Sequence, residues 1–250
     1  MLKSLIIAFS TYSRIPMPKI EWEKKSMKYS MCFFPLVGAV IGLFSLMAFA
    51  VMEKIHAGKI LAAAVMASLP VLLTGGIHFD GFLDTVDAKS SYRPKEEKLR
   101  ILKDPHTGAF AIIYGIVFFL LSFGLFSQIH FKTVPFISLG YIYSRILSGL
   151  SVTILKKAKK EGMAASSAEA AGKSVKWILL AELAFCITGY LVLNPFSGAC
   201  CILAGAACFL HYKNMAYCVF GGITGDLAGY FLQVCEFSIL AVVVVENLVF

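Results

Sequence analysis

The sequence predicts an all-helical integral membrane protein, a single polytopic domain over residues 1–250 with about seven transmembrane helices in one bundle. Three observations predict it. Of 250 residues, 58% are hydrophobic and only 15% charged, an apolar share well above that of a soluble domain. Mean hydropathy is +0.78. The apolar residues are gathered into runs of about 17–25 residues with few or no charges, the length a helix needs to cross a bilayer. Seven cysteines (Cys32, Cys186, Cys200, Cys201, Cys208, Cys218 and Cys235) are scattered, mostly within those runs and without a C-x-x-C pair. They read as small buried hydrophobes, not as a disulfide framework or a zinc site.

The chain opens with Lys3 and a short apolar run, 5–9, with no small-residue cleavage site before Arg14 and Pro16. That run is too short to span and predicts an interfacial or re-entrant start. The first uncharged run, 29–52, is long enough to cross. The second crossing is 60–77, and an acidic stretch opens the loop after it. Further crossings are expected at 107–131, 133–155 (with Arg145 inside), 177–193 (with Glu182 inside), 195–212 and 226–250. The loop 156–176 carries six lysines and the small-residue stretch GMAASSAEAAG, which reads as mobile.

The basic residues orient this layout. Nineteen of the 23 lysines and arginines fall on one side, three on the other, and Arg145 lies within a span. The positive-inside rule then places the N-terminus and the lysine-rich loops in the cytoplasm, and the protein in the cell (cytoplasmic, or inner) membrane as a multi-pass chain. The net charge of +8 reads as orientation and contact with anionic membrane lipid. No nucleic-acid motif is present.

The stretch TGGIHFDGFLDTVDA, 74–88, concentrates the chemistry. Asp80, Asp84 and Asp87 stand at i, i+4 and i+7. At about 100° per residue they fall near 0°, 40° and −20°, one narrow helical face. Like charges at that spacing repel, and a hard divalent cation with oxygen ligands offsets the repulsion. Gly75 and Gly76 let the chain bend as it leaves the membrane, and Gly81 admits a close neighbour. His78, roughly 160° from Asp80 on a helix, faces elsewhere.

Asp104, in LKDPHTGAF, precedes Pro105 and suits an N-cap for the next span; a metal or substrate contact is the alternative. His106 reads as a phosphate or ribose contact, or as a polar helix start. GGITGD, 221–226, with Gly222 and Thr224, can present backbone N–H groups to phosphate, or serve close helix packing. Asp226, an acid at a membrane helix, marks a functional position. A guanidinium inside a span needs an anionic partner, so Arg145 either pairs with Glu182 or binds a substrate anion. Arg14 is a phosphate clamp or an interfacial anchor. Asp80, Asp84, Asp87, Asp104 and Asp226 all fall at cytoplasmic helix ends, which fits one site for cytosolic substrates. A cation-coupled transporter would place its acids near the midplane.

Taken together, SRIPMP at 13–18, FFPLVGAVIG at 33–42, TGGIHFDGFLDTVDA, ILKDPHTGAFA and GGITGDLAGYFLQVCE resemble the adenosylcobinamide-GDP ribazoletransferase family over most of the chain. PHTG differs from the basic residue and Ile that family members often carry before that glycine. The resemblance implies a magnesium-dependent phosphotransferase of cobalamin biosynthesis. It joins alpha-ribazole, or its 5′-phosphate, to adenosylcobinamide-GDP and releases GMP. It implies Mg²⁺ on Asp80, Asp84 and Asp87, with Asp226 completing the shell or acting as base. Substrate contacts fall to Arg14, His78, Asp104, His106, Arg145, Gly222 and Thr224. A complex with other corrinoid-assembly enzymes and an oligomeric state are both compatible with it. The acid spacing after the DG pair also resembles the CDP-alcohol phosphotransferases, but the Ala-Arg pair that follows DG there, and two later acids, are missing.

Overall fold

A computed structural model describes residues 1–159, 162–172 and 174–249. Lys160 and Lys173, two of the six lysines of the 156–176 loop, and Phe250 at the end of the last predicted span lie outside the described residues. Among the described residues the secondary structure is helical, apart from one isolated parallel bridge between Lys157 and Ile223. Twelve α-helices follow in order: α1 (Leu2–Tyr12), α2 (Lys24–Met27), α3 (Phe34–Lys54), α4 (Lys59–Thr74), α5 (Ile77–Ser90), α6 (Lys95–Ile101), α7 (Ala109–Phe126), α8 (Val134–Ile154), α9 (Met163–Ala170), α10 (Val175–Leu193), α11 (Pro195–Met215) and α12 (Gly225–Val249).

Six helical segments are long and apolar enough to cross a membrane, and the bent pair α4–α5 makes a seventh if it counts as one span. The expected bundle of about seven is therefore present, with its second member broken. The predicted run 60–77 ends early, because Gly75 (φ 67°) and Gly76 (φ 82°) both take left-handed backbone, a region that residues with a Cβ rarely enter. The two glycines turn the chain by 96° between α4 and α5. The apolar leg is α4. The acid-bearing helix α5 runs nearly perpendicular to it, and we read α5 as lying outside the spanning segments. The acidic stretch is thus no loop helix standing free in solvent. It is packed against α7 and α12, with His78, Phe79, Phe82 and Val86 buried.

The bundle is built around α8, which is buried along most of its length and contacts α3, α10 and α12. The outward faces of α10 and α11 carry exposed Phe185, Val192 and Leu203, as a lipid-facing surface requires, while the backbone satisfies itself within each helix. Local signals set the boundaries. Asn194 caps α11 by accepting from the N–H groups of Phe196 (2.9 Å) and Ser197 (3.0 Å), with Pro195 in the first turn, where its missing N–H is harmless. GMAASSAEAAG, expected to be mobile, contains the helix α9, which packs against α8 and α2 and buries Ser167. All seven cysteines are free.

Candidate active site

The site is built where α5 crosses α12. A Cβ on Gly81 would stand 2.7 Å from the Asp226 carbonyl oxygen, and one on Gly229 would stand 2.8 Å from that of His78. Glycine at both positions lets the two backbones touch, as small residues do at membrane helix crossings. This contact sets Asp226, in the first turn of α12, against the acidic helix. Thr224, just before α12, accepts from the Leu227 N–H at 3.2 Å, and its hydroxyl lies 3.4 Å from Asp226 Oδ2. It caps the helix and fixes the carboxylate together.

Asp80 is exposed, while Asp84, Asp87 and Asp226 are half-buried. The Asp84 carboxyl is raised to about 7, first by burial and then by the charges of Asp80, Asp226 and Asp87. The predicted acid face therefore forms, and α12 adds a fourth acid to it. Asp87 turns towards the start of α7: a Cβ on Gly108, the residue before that helix, would collide with its carboxylate. Among the described residues, no three His, Cys, Asp or Glu side chains converge on one point as a ready-made metal group. The chemistry of the donor set still fits a hard cation. It is all carboxylate, it comes from two helices, and burial together with the neighbouring carboxylates holds Asp84 well above its ordinary value.

A cleft of about 220 Å³ opens beside these acids, lined by Asp80, Asp226, His78, Tyr12, Phe34 and Ser148 among others. His78 was expected to face away from Asp80. Ile77, His78 and Asp80 all line this cleft, because it wraps around the first turn of α5 instead of lying along one side. The His78 ring stacks on Tyr12 (centroids 5.8 Å apart) and packs on Phe34 (5.6 Å), and its Nε2 is buried without a hydrogen-bond partner. Arg14 stands at the α4–α5 bend. Its N–H donates to the Leu73 carbonyl at 2.8 Å, and its side chain lies over Gly75.

Three other expectations change. Asp104 does not cap α7, since Gly108 holds that position. It accepts from the His106 N–H (2.9 Å) and pairs with the His106 ring (2.7 Å), and both side chains are exposed. That N–H, with the ring, holds the Asp104 carboxyl below its ordinary range. Three of the N–H groups of GGITGD are engaged: Gly221 donates to the Tyr217 carbonyl, Gly222 to Ala216 and Ile223 to Lys156. That turn fastens the 156–158 segment to the start of α12. Arg145 is buried, but its partner is Glu236 of α12, at 2.6 Å, and not Glu182. Glu182 lies on α10, and its Oε2 is buried without a hydrogen-bond partner.

Sequence reasoning missed Tyr12, Phe34 and Ser148 in the cleft wall. The signal for the last was the run Ser144, Ser148, Ser151 at helical spacing on α8. Ser144 bonds Glu236 and Ser151 bonds Tyr212, so this polar stripe faces the bundle interior.

Fold and site together define a polytopic membrane protein with an acid-lined cleft at the lysine-rich end of its bundle. The chain matches the cobalamin-5-phosphate synthase family over residues 4–244. Among curated proteins, it is 48% identical to an adenosylcobinamide-GDP ribazoletransferase of Lachnoclostridium phytofermentans, over 99% of this chain and 96% of that protein. It is 33% identical to a protein of the same name from Clostridium botulinum (94% of each chain) and 30% identical to one from Desulfitobacterium hafniense (96% of this chain, 95% of that protein). No solved structure matches. The chain belongs to the cobalamin-5-phosphate synthase family and is a transferase of cobalamin synthesis.

Proposed function

We propose that this chain joins alpha-ribazole, or its 5′-phosphate, to adenosylcobinamide-GDP with release of GMP, and that the reaction takes place at the α5–α12 crossing. Family membership names the reaction. What supports this location is the set of four aspartates, Asp80, Asp84, Asp87 and Asp226, near enough for their charges to raise the Asp84 carboxyl, two of which, Asp80 and Asp226, line a cleft.

In this reading a ribose hydroxyl of the ribazole attacks the phosphorus that stays with cobinamide. A new P–O bond forms, the P–O bond to GMP breaks, and GMP departs with that electron pair. Asp226, partly buried and fixed by Thr224, takes the hydroxyl proton. Asp80, Asp84 and Asp87 hold Mg²⁺, which when bound supplies charge neutralisation for the pyrophosphate oxygens. Positive charge rims the acids: Lys159 feels both Asp226 and Lys103, Lys95 reaches Gly221, and Arg14 stands at the bend. That arrangement suits a diphosphate. The lysine-rich loops lie in the cytoplasm, so the cleft takes its substrates there.

The test is GMP release by purified protein in lipid, with both substrates and Mg²⁺, comparing wild type with Asp84→Asn. Mg²⁺-dependent release by wild type, lost in Asp84→Asn, is the expected result. Full release by a folded Asp84→Asn moves the chemistry away from these acids.

A further inference from the structure

The cleft beside the acids changes character with depth. Its mouth holds exposed Asp80 and half-buried Asp226. Its depth is formed by Met31, Phe34 and Leu232, each buried to 3% exposure or less, with Val152 beside them. Three polar side chains line the cleft behind the acids: His78 and Ser148, both buried, and the partly buried Tyr12. A water-filled phosphate site would not have this lining, since buried apolar walls desolvate an anion without offsetting its charge. The same lining suits a flat apolar group carrying few polar atoms.

The two substrates of the proposed reaction differ sharply in this respect. One presents a corrin macrocycle, studded with amides, and a guanosine diphosphate. The other presents a two-ring aromatic base attached to a ribose. A volume of about 220 Å³ suits a two-ring base, whereas a corrin, several such rings across, stays outside. We infer that this cleft is the ribazole subsite, with the base buried between Phe34, Val152 and Leu232 and the ribose held at the mouth against Asp80 and Asp226.

The inference rests on the reaction proposed above and adds the order of the parts. A base seated in the depth brings its ribose hydroxyls out among the carboxylates, where the attacking proton must go. The corrinoid and its nucleotide then approach from the lysine-rich surface. The free ring nitrogen of the base is an acceptor, and the hydroxyls of Ser148 and Tyr12 and the ring of His78 are the cleft groups able to donate to it. Base selectivity is then set by Val152 and Leu232, because an apolar wall discriminates by the room it leaves.

The test is steady-state kinetics with each substrate varied at saturating levels of the other, for wild type and Val152→Phe in lipid. Val152→Phe raises the KM for ribazole about tenfold or more, the size expected when a pocket loses room for a methylene, and leaves the KM for adenosylcobinamide-GDP unchanged. A ribazole whose base lacks its ring methyls recovers in the filled cleft. If Val152→Phe does not fold, Val152→Ala serves instead and shifts preference towards a base enlarged by a fused ring. A rise confined to the adenosylcobinamide-GDP KM, or an unaltered base preference in Val152→Ala, overturns the inference while leaving the reaction intact. Absence of product from folded wild type overturns both.

Discussion

Replacing Gly81 by alanine tests the backbone contact that assembles the site. The added Cβ would lie 2.7 Å from the Asp226 carbonyl oxygen and 2.9 Å from its Cα, where ordinary contact begins at 3.4 Å. The obstacle is backbone, so no side chain can swing aside, and α5 and α12 must separate by about 0.7 Å at that point. Overpacking of this kind costs ~1–3 kcal/mol, and alanine returns ~1 kcal/mol as the better helix former. The net loss of stability is therefore about 0–2 kcal/mol, and the chain still folds. Catalysis suffers more, because a displacement near 1 Å in a reacting geometry costs about 10²-fold. Gly81→Ala should thus lower the rate of GMP release by about ten- to a hundredfold, while thermal unfolding in detergent shifts only slightly. Gly124→Ala, in α7 with nothing within 4 Å of the new methyl, is the control: it leaves GMP release unchanged and raises stability by the ~1 kcal/mol of helix propensity alone. Wild-type GMP release by Gly81→Ala would refute the claim that the α5–α12 crossing sets the reacting geometry.

Other perturbations separate the site from its supports. Arg145→Gln leaves Glu236 buried and uncompensated, so it should cost about 3–5 kcal/mol in unfolding experiments; replacing both partners by leucine should recover part of that, and a single variant as stable as wild type contradicts the pair's role. Because the raised carboxyl of Asp84, about 7, sits above its unfolded value, its contribution to stability is present at low pH and lost as pH rises through about 7. The metal-free chain should therefore melt at lower temperature near pH 8 than near pH 6, Mg²⁺ should reverse the loss, and Asp84→Asn should flatten the profile; a wild-type profile already flat rules out the carboxylate coupling. His106→Ala removes only an exposed pair, which solvent screens, and should leave stability and GMP release near wild type; a collapse in rate would place that loop in the site.

Much of this was legible in the sequence because the bilayer imposes simple rules. Apolar runs with few or no charges located every long helix, and the spans around Arg145 and Glu182 fell within two residues of their observed ends. The acid spacing gave the face of α5, and Gly75–Gly76 gave the bend. What could not be read were the pairings between helices. Arg145 chose Glu236 over Glu182 because α12 packs against α8 beside the guanidinium, a fact of bundle order that no spacing along one chain encodes. The cleft was hidden for the same reason: Tyr12, Phe34 and Ser148 lie far apart in sequence and meet only when α1, α3 and α8 close around the first turn of α5. GGITGD was ambiguous because a glycine run has the same composition whether its N–H groups face a phosphate or, as those of Gly221, Gly222 and Ile223 do, neighbouring backbone.

The most direct test of the central claim is product stoichiometry. Purified wild type in lipid, given adenosylcobinamide-GDP, alpha-ribazole and Mg²⁺, should release one GMP for each corrinoid that gains the ribazole. An ¹⁸O label placed in the attacking ribose hydroxyl should be retained in the new phosphodiester. GMP released without ribazole joined to the corrinoid, or label lost from the product, would contradict the account.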